Sequence, residues 1–576
     1  MRSPLISTAI KESRTATVAS LALLAIGVAL RLRAYLDQRS FWLDEIWVVL
    51  NVQGRSFAGL TRPLDYDQTA PVAFLWMERL AVELGGVNEL ALRAFPLIAG
   101  CLCLVVLWML ARRLLDVRGG ALCLAFAALS PALIYFSNEV KPYGPDSLAA
   151  VALIWLALDV LDAPDSHRAW LRLAAGGVIA LLFSTPSIFI LAGVGAALVA
   201  HPAIARTRAG WLRLVACGAL WLAVFAIGYV ALYRVAAESA FMQMFWRNGF
   251  LSLPPRSLTH GAIDAARRLW ITAFLGVNDD LIPPRVLPLA TLVTAVGAVA
   301  LLRRRGASVA LLLVVPFVAT GLASMAHRWP LGARLMVFLI PALILLLGAG
   351  LWTIAGVVPA RMRGATLALL GALAVLPASV YDARGVRLPM RRDDVAPFVR
   401  DVMASRATPA LLYVVAHGIP AWIYYSDLWH ERDGAAFRLA EIRGSPSARF
   451  QHRACITQRP DLRVVLGASH ELVFTDSALA AEATWIAAQR ERELWLLTLK
   501  YERKSGLALT NDLLALGAAK VEERARGDAV LRHFRFPERA SARPDVGCEV
   551  QLVGTPAAHR LTAPVPADSG AATASQ

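Results

Sequence analysis

From about residue 15 to residue 381 the chain returns repeatedly to long apolar runs. A nearly uncharged run of roughly 20 residues has one stable use, crossing a bilayer as a helix whose backbone polar groups pair internally. Such runs lie near 15–32, 91–111, 119–136, 143–161, 171–183, 187–200, 211–233, 286–302, 308–325, 333–355 and 363–381, eleven in all. The two short ones, divided by Ser184-Thr185-Pro186, read either as one broken helix or as two steep ones. Composition agrees, with 57% hydrophobic and 17% charged residues and a mean hydropathy of +0.55. A soluble domain holds roughly 45–50% apolar and about 25% charged residues. A soluble enzyme, a disordered chain and a disulfide scaffold are thereby excluded. From Asp382 onward charges are scattered as in soluble protein. The expected architecture is an α-helical polytopic membrane region over 1–381 with about 11 transmembrane helices, a soluble α/β domain over 382–555, and a disordered tail over 556–576.

The net charge of +16 would suit a nucleic-acid binder, but its distribution argues otherwise. With the N-terminus in the cytoplasm, the inner segments carry Arg2, Lys11, Arg14, Arg112, Arg113, Arg118, Arg168, Arg172, Arg206, Arg208, Arg213, Arg303, Arg304, Arg305, Arg361 and Arg363. The short outer connections hold only Lys141 and Arg328. Basic residues gather on the cytoplasmic side of membrane proteins, so this bias is a topology signal and no nucleic acid is expected as a partner. An odd number of spans then places the C-terminal domain outside. Arg31 and Arg33, at the outer end of the first span, are the exception; they either snorkel to the interface or face a site.

Polar chemistry collects in the outer segments, whereas the spans read as almost free of ionisable groups, which weighs against a coupled transporter. Of the 20 Asp and Glu up to Met390, eight fall in the first outer loop, 37–90. A loop that long is functional or disordered, and this one is aromatic-rich: Ser40-Phe41-Trp42-Leu43-Asp44-Glu45-Ile46-Trp47. Asp44-Glu45 is either the solvated face of an interfacial helix or a base, since a carboxylate beside apolar surface has a raised pKa. Asp65 and Asp67 follow, before an amphipathic segment from Val72 to Leu84. The turn between the third and fourth runs reads Tyr135-Phe136-Ser137-Asn138-Glu139-Val140-Lys141-Pro142-Tyr143. Lys141 is the only lysine between residues 12 and 499 of an arginine-rich chain. A compact ammonium suits a single phosphate; an ion pair with Glu139 is the plainer alternative. Arg334, in Pro330-Leu331-Gly332-Ala333-Arg334, is either an interfacial anchor or a second phosphate group.

Taken in order, the acidic pair, "NELALRAFPLIAG…LARRLL", "YFSNEVKPYGPD" and "GARLMVFLIPALILLLGAGL" resemble the GT-C glycosyltransferases. The likeness is to the bacterial family-39-like group, related to protein O-mannosyltransferases and to lipid A aminoarabinose or galacturonic acid transferases. It spans about Leu21 to Leu351. The resemblance implies that Asp44 is the catalytic base with Glu45 the adjacent acid, and that Lys141 and Arg334 bind the donor phosphate. Glu139, Tyr143, Asp65 and Asp67 are the further substrate-binding candidates. Many relatives carry His-Pro-Pro where this chain has Thr69-Ala70-Pro71, so a role resting on that His, any metal contact included, is in question here. A divalent metal at Asp44 and Glu45 stays open, although two adjacent acids do not make a ligand set.

A site facing outward has little access to cytoplasmic nucleotide sugars, so the expected donor is a sugar on a polyprenyl phosphate. Its acceptor would be a hydroxyl on an envelope glycan, lipid or protein, and membrane lipid surrounds both. A flippase or an envelope-assembly scaffold is the alternative from another class; a channel would need a polar stripe the runs lack. In the outer domain Leu411–Val415, Leu494–Leu499 and Val530–Phe536 read as strands, the last as a closing one, and Leu507–Leu516 as a helix. Cys455 and Cys548 are the cysteines outside the membrane, where an oxidising compartment permits a disulfide.

Overall fold

The computed structural model describes residues 4–65, 68–251, 261, 263–270, 273, 286–359, 361–372, 392–404, 410–426, 454–459, 462–467, 476–489, 491–499, 503–537 and 550–553. The chain divides into two compact units. One comprises Met1–Gln38 and Asn51–Pro389, the other Arg39–Leu50 and Met390–Gln576.

The first unit is helical. Its elements are α1 (Pro4–Leu36), the end of α2 (Leu43–Gly54), α3 (Val72–Gly85), α4 (Glu89–Leu114), α5 (Val117–Ala128), α6 (Pro131–Tyr135), α7 (Tyr143–Asp162), α8 (His167–Phe183) and α9 (Ser187–Val199), followed by longer helices including Arg208–Gly228, Val286–Arg305, Ala307–Met325 and Ile340–Ala355. Local chemistry sets their ends. Asn88 caps α4 by accepting hydrogen bonds from the Leu90 and Ala91 N–H groups at 3.1 and 2.9 Å. Glu89 then lies at its positive end and Arg112 and Arg113 at its negative end. Asp116 caps α5 through Gly119 N–H at 2.7 Å. Ser184-Thr185-Pro186 ends α8 and lets α9 start in a new direction, as a proline stop requires.

Among the described residues six helices are long and apolar enough to cross a membrane. They become seven if Val117–Ala128 and Pro131–Asn138, bent by 62° at their break, form one broken span. The multi-pass helical architecture therefore stands, and the expected eleven crossings are not reached by these criteria. For two of the runs the reason is length: α8 and α9 are separate helices of 17 and 13 residues, about 26 and 20 Å against a hydrocarbon core of about 30 Å. The run 363–381 lies partly outside the described residues.

The segment Arg334–Ala355 is the most enclosed span, 89% buried, in keeping with a sequence apolar on every side. Small residues let its neighbour approach. A Cβ at Gly350 would meet the Val293 carbonyl oxygen at 2.0 Å, and one at Gly297 the Leu346 oxygen at 1.9 Å. Arg31 is explained by the break after α5 and does not snorkel. It is 1% exposed, and its guanidinium donates to the carbonyls of Gly27 at 2.9 Å and Ala127 at 3.2 Å, satisfying backbone left open where α5 stops. Arg33 remains exposed and faces Asp37 at 3.8 Å.

The second unit carries a seven-stranded mixed sheet in the order β5-β6-β4-β1-β3-β2-β7. The strands are β1 (Ala410–Val414), β2 (Ala454–Arg459), β3 (Leu462–Leu466), β4 (Glu493–Thr498), β5 (Ala519–Arg526), β6 (Ala529–Arg535) and β7 (Val550–Val553). β1 is parallel to both β3 and β4, while β6 pairs antiparallel with β4 and β5. Helices Asp476–Ala488 and Arg503–Ala515 cover one face, burying Ala483, Ile486, Leu509 and Leu513 on Leu411, Tyr413, Leu494, Leu496 and Phe534. The sequence-read strands and helix fall on β1, β4, β6 and Arg503–Ala515, so the α/β reading holds. The strand at 530–536 does not close the sheet; it lies inside it, between β5 and β4.

Candidate active site

Asp44 and Glu45 stand at the second and third positions of α2, both buried, at 7% and 0% exposure. Their positions separate their roles. Glu45 Oε2 accepts the backbone N–H of Trp42, just before the helix, at 3.3 Å and the Arg39 guanidinium at 3.2 Å. That is the reciprocal half of a capping box, joined to a buried ion pair. Glu45 therefore organises the helix start. Asp44, one residue earlier, also lies in the first turn of the helix.

The segment before the pair is held within the second unit by contacts distant in sequence. Ser40 Oγ donates to Asp394 Oδ1 at 2.5 Å and accepts Ala396 N–H at 3.3 Å. The Phe41 N–H donates to Tyr425 Oη at 2.6 Å, and the Arg392 guanidinium lies 4.2 Å from the centroid of the Trp42 ring. These contacts fix the backbone from which Asp44 projects. A cation at Glu45 would sit against the Arg39 guanidinium. Among the described residues no group of three or more His, Cys, Asp or Glu is placed to hold a metal ion.

In the first unit Lys141 is 6% exposed, and its Nζ donates to Gln68 Oε1 at 2.6 Å. Glu139, two residues earlier, is fully buried, as are Ser137 and Asn138. Tyr143 opens α7 with its ring packed edge-on against Phe136, centroids 4.9 Å apart. The segment bearing Arg334 is a seven-residue 3₁₀ helix, Ala333–Leu339, longer than such turns ordinarily run. Its tie to α7 includes Ser147 Oγ donating to the Val337 carbonyl at 3.4 Å. The Arg334 guanidinium lies 5.3 Å from the centroid of the Trp246 ring. These contacts pack the start of α7 against the 3₁₀ helix that carries Arg334.

Asp65 has a structural role. Its carboxylate pairs with Arg55 at 2.8 Å, and its backbone N–H donates to Asn51 Oδ1 at 2.9 Å, clasping the loop after α2. Arg79 of α3 donates to the Gln53 and Val52 carbonyls at 2.9 and 3.3 Å, capping the C-terminal end of α2. Asp67 and Cys548 lie outside the described residues; Cys455 lies on β2.

Sequence reasoning passed over Gln68 and Asp146. Asp146, in the first turn of α7, is 6% exposed. It faces Ser184 at the break between α8 and α9, yet its Oδ1 and Ser184 Oγ have no hydrogen-bond partner of normal geometry among the described residues. A π-helical turn, Tyr229–Tyr233, brings Tyr233 to Thr185 beside them, and such turns frequently mark functional sites. The spans are therefore not free of buried ionisable groups: Asp146, Arg31 and Arg93 are all enclosed. The signal was an isolated Asp at the head of an otherwise apolar helix, "YGPDSLAAVALIWLAL".

Residues 69–229 match the family of dolichyl-phosphate-mannose-protein mannosyltransferases. An uncharacterized protein of Aquifex aeolicus (strain VF5) is 32% identical over 127 residues, which cover 22% of this chain. The match spans a quarter, 25%, of the length of that curated relative. Among solved structures, the Archaeoglobus fulgidus oligosaccharyltransferase, in complex with Zn and sulfate, aligns with a TM-score of 0.50 at 13% identity, covering 87% of this chain and 72% of that one. ArnT from Cupriavidus metallidurans bound to undecaprenyl phosphate gives a TM-score of 0.49 at 15% identity, over 89% of this chain and 97% of that one. The oligosaccharyltransferase alignment and the matched segment bear out the likeness seen in the sequence: the chain is a multi-pass membrane protein with the fold of the GT-C superfamily of membrane glycosyltransferases.

Proposed function

We propose that the chain transfers a sugar, hexosyl or pentosyl, from a polyprenyl-phosphate donor to a hydroxyl of an envelope lipid, polysaccharide or protein at the outer face of the inner membrane. The reaction is one inverting displacement. The acceptor oxygen bonds to the anomeric carbon as the carbon–oxygen bond to phosphate breaks, and the electron pair leaves on the phosphate. Asp44 takes the acceptor proton, a role worth about 10²–10⁴-fold. Lys141 and Arg334 stabilise the departing phosphate, a leaving group that needs no acid. Glu45 holds the helix start that presents Asp44.

The observation that carries this reading is Lys141, the single lysine of its long arginine-rich stretch. It is buried at the head of a membrane helix, its ammonium donating to Gln68 Oε1 at 2.6 Å, and a compact ammonium suits a single phosphate. The testing experiment is mass spectrometry of envelope glycolipids, polysaccharides and glycoproteins from cells with and without the gene. Loss of one hexose, pentose or uronic acid from one class supports the reading and names sugar and acceptor. Unchanged glycans with altered lipid distribution favour a flippase.

A further inference from the structure

A cleft of about 160 Å³ opens in the first unit, lined by Leu114, Leu115, Ala300, Leu301, Ala349, Trp352 and Thr353 together with Arg304 and Arg305. Its level in the membrane follows from helix ends. α4 stops at Leu114, Val286–Arg305 stops at its three arginines, and Ile340–Ala355 stops just beyond Trp352. α7 stops beside them, since Arg113 of α4 pairs with Asp159 and Asp162 at 2.7 and 2.6 Å. Lys141 precedes the opposite end of α7, whose 20 residues span about 30 Å. The cleft is therefore at the far membrane boundary from Lys141, the boundary that the arginine bias assigns to the cytoplasm.

The two arginines are positioned differently. Arg305 is anchored, its guanidinium donating to the Arg113 carbonyl at 2.6 Å and the Leu114 carbonyl at 3.1 Å. Arg304 is exposed and lies 4.4 Å from the centroid of the Trp352 ring, and the Trp352 indole N–H is held by Asp116 Oδ2 at 2.9 Å. A cationic rim over a leucine- and alanine-walled cleft, at the depth where headgroups meet acyl chains, matches an amphiphile with an anionic head and an apolar tail. Basic pockets between membrane helices on this side recognise such headgroups.

We propose that this cleft binds an anionic glycerophospholipid, its phosphate at Arg304 and Arg305 and one acyl chain along Leu115, Leu301 and Ala349. Arg303, beside these two in sequence but outside the lining, separates a built site from general attraction to a basic helix end.

The test is native mass spectrometry of the full-length protein, titrated in turn with phosphatidylglycerol, phosphatidylcholine and inorganic phosphate, for wild type, Arg304→Gln and Arg303→Gln. The expected result is preferential retention of phosphatidylglycerol by wild type, about fivefold weaker in Arg304→Gln, unchanged in Arg303→Gln, with no competition by inorganic phosphate. Equal loss in both variants, or equal retention of the two lipids by wild type, overturns the site. Full displacement by inorganic phosphate overturns the lipid in favour of a free anion.

Discussion

The Arg39 guanidinium lies 3.2 Å from Glu45 Oε2, with the two side chains 7% and 0% exposed. Removing one partner of a buried pair leaves an uncompensated charge and costs about 3–5 kcal/mol. Glu45→Ala should therefore lower the melting transition of the purified protein, and the isosteric Asp44→Asn should lower it less. If Glu45→Ala melts like wild type, Glu45 does not organise the helix start and its assignment as a second catalytic acid regains ground.

Lys141 occupies a buried niche bonded to Gln68, and an arginine there is longer, forked and differently hydrated. Lys141→Arg should reduce transfer by at least about tenfold, chiefly through a raised KM for the lipid-phosphate donor, despite the kept charge. Gln68→Ala should do the same more weakly. Steady-state kinetics with varied donor checks both, and wild-type KM in Lys141→Arg would remove the phosphate role.

Glu493 answers to pH. Burial disfavours its charge, but hydrogen bonds from Arg535 at 2.7 Å and His533 at 2.6 Å outweigh it and hold the carboxyl below an ordinary glutamate's 4.5. A carboxyl depressed by folding adds stability above its unfolded pKa, and the gain is lost as pH falls through the folded value. The second unit should thus lose stability on acidification below about pH 4.5, and Glu493→Gln should flatten that part of the profile. Melting curves from pH 3 to 7 read the difference; an unchanged slope in Glu493→Gln would contradict it.

Cys455 and Cys548 are proposed to pair in the periplasm. Closing a loop of about 90 residues adds roughly 4–5 kcal/mol in the chain-entropy model. Non-reducing gels should show a mobility shift that Cys548→Ser abolishes; a shift that survives the substitution contradicts the pairing.

How far the sequence spoke depended on the range of each interaction. The break at Ser184-Thr185-Pro186 was legible because a proline stop acts within one turn. The β1 and β4 strands were legible because a buried central strand is a short continuous apolar run. Lys141 declared itself by scarcity. The surroundings of Asp44 were hidden, since Ser40 meets Asp394 and Phe41 meets Tyr425 across more than 350 positions. Arg31 was left between two readings for the same reason: its partners are carbonyls at a helix break, which carry no side-chain signature. Asp146 stood inside a quoted motif, but only the folded chain brings Ser184, Thr185 and Tyr233 around it.

The central claim is that Asp44 removes the acceptor proton in a transfer from a lipid-phosphate sugar. The most direct measurement is polyprenyl phosphate release in single turnover by purified wild type and Asp44→Asn, given a labelled donor and the acceptor that the envelope comparison identifies. The account predicts a melting transition still present in the variant and a transfer rate lower by about 10²–10⁴-fold. Transfer by Asp44→Asn at the wild-type rate would contradict it.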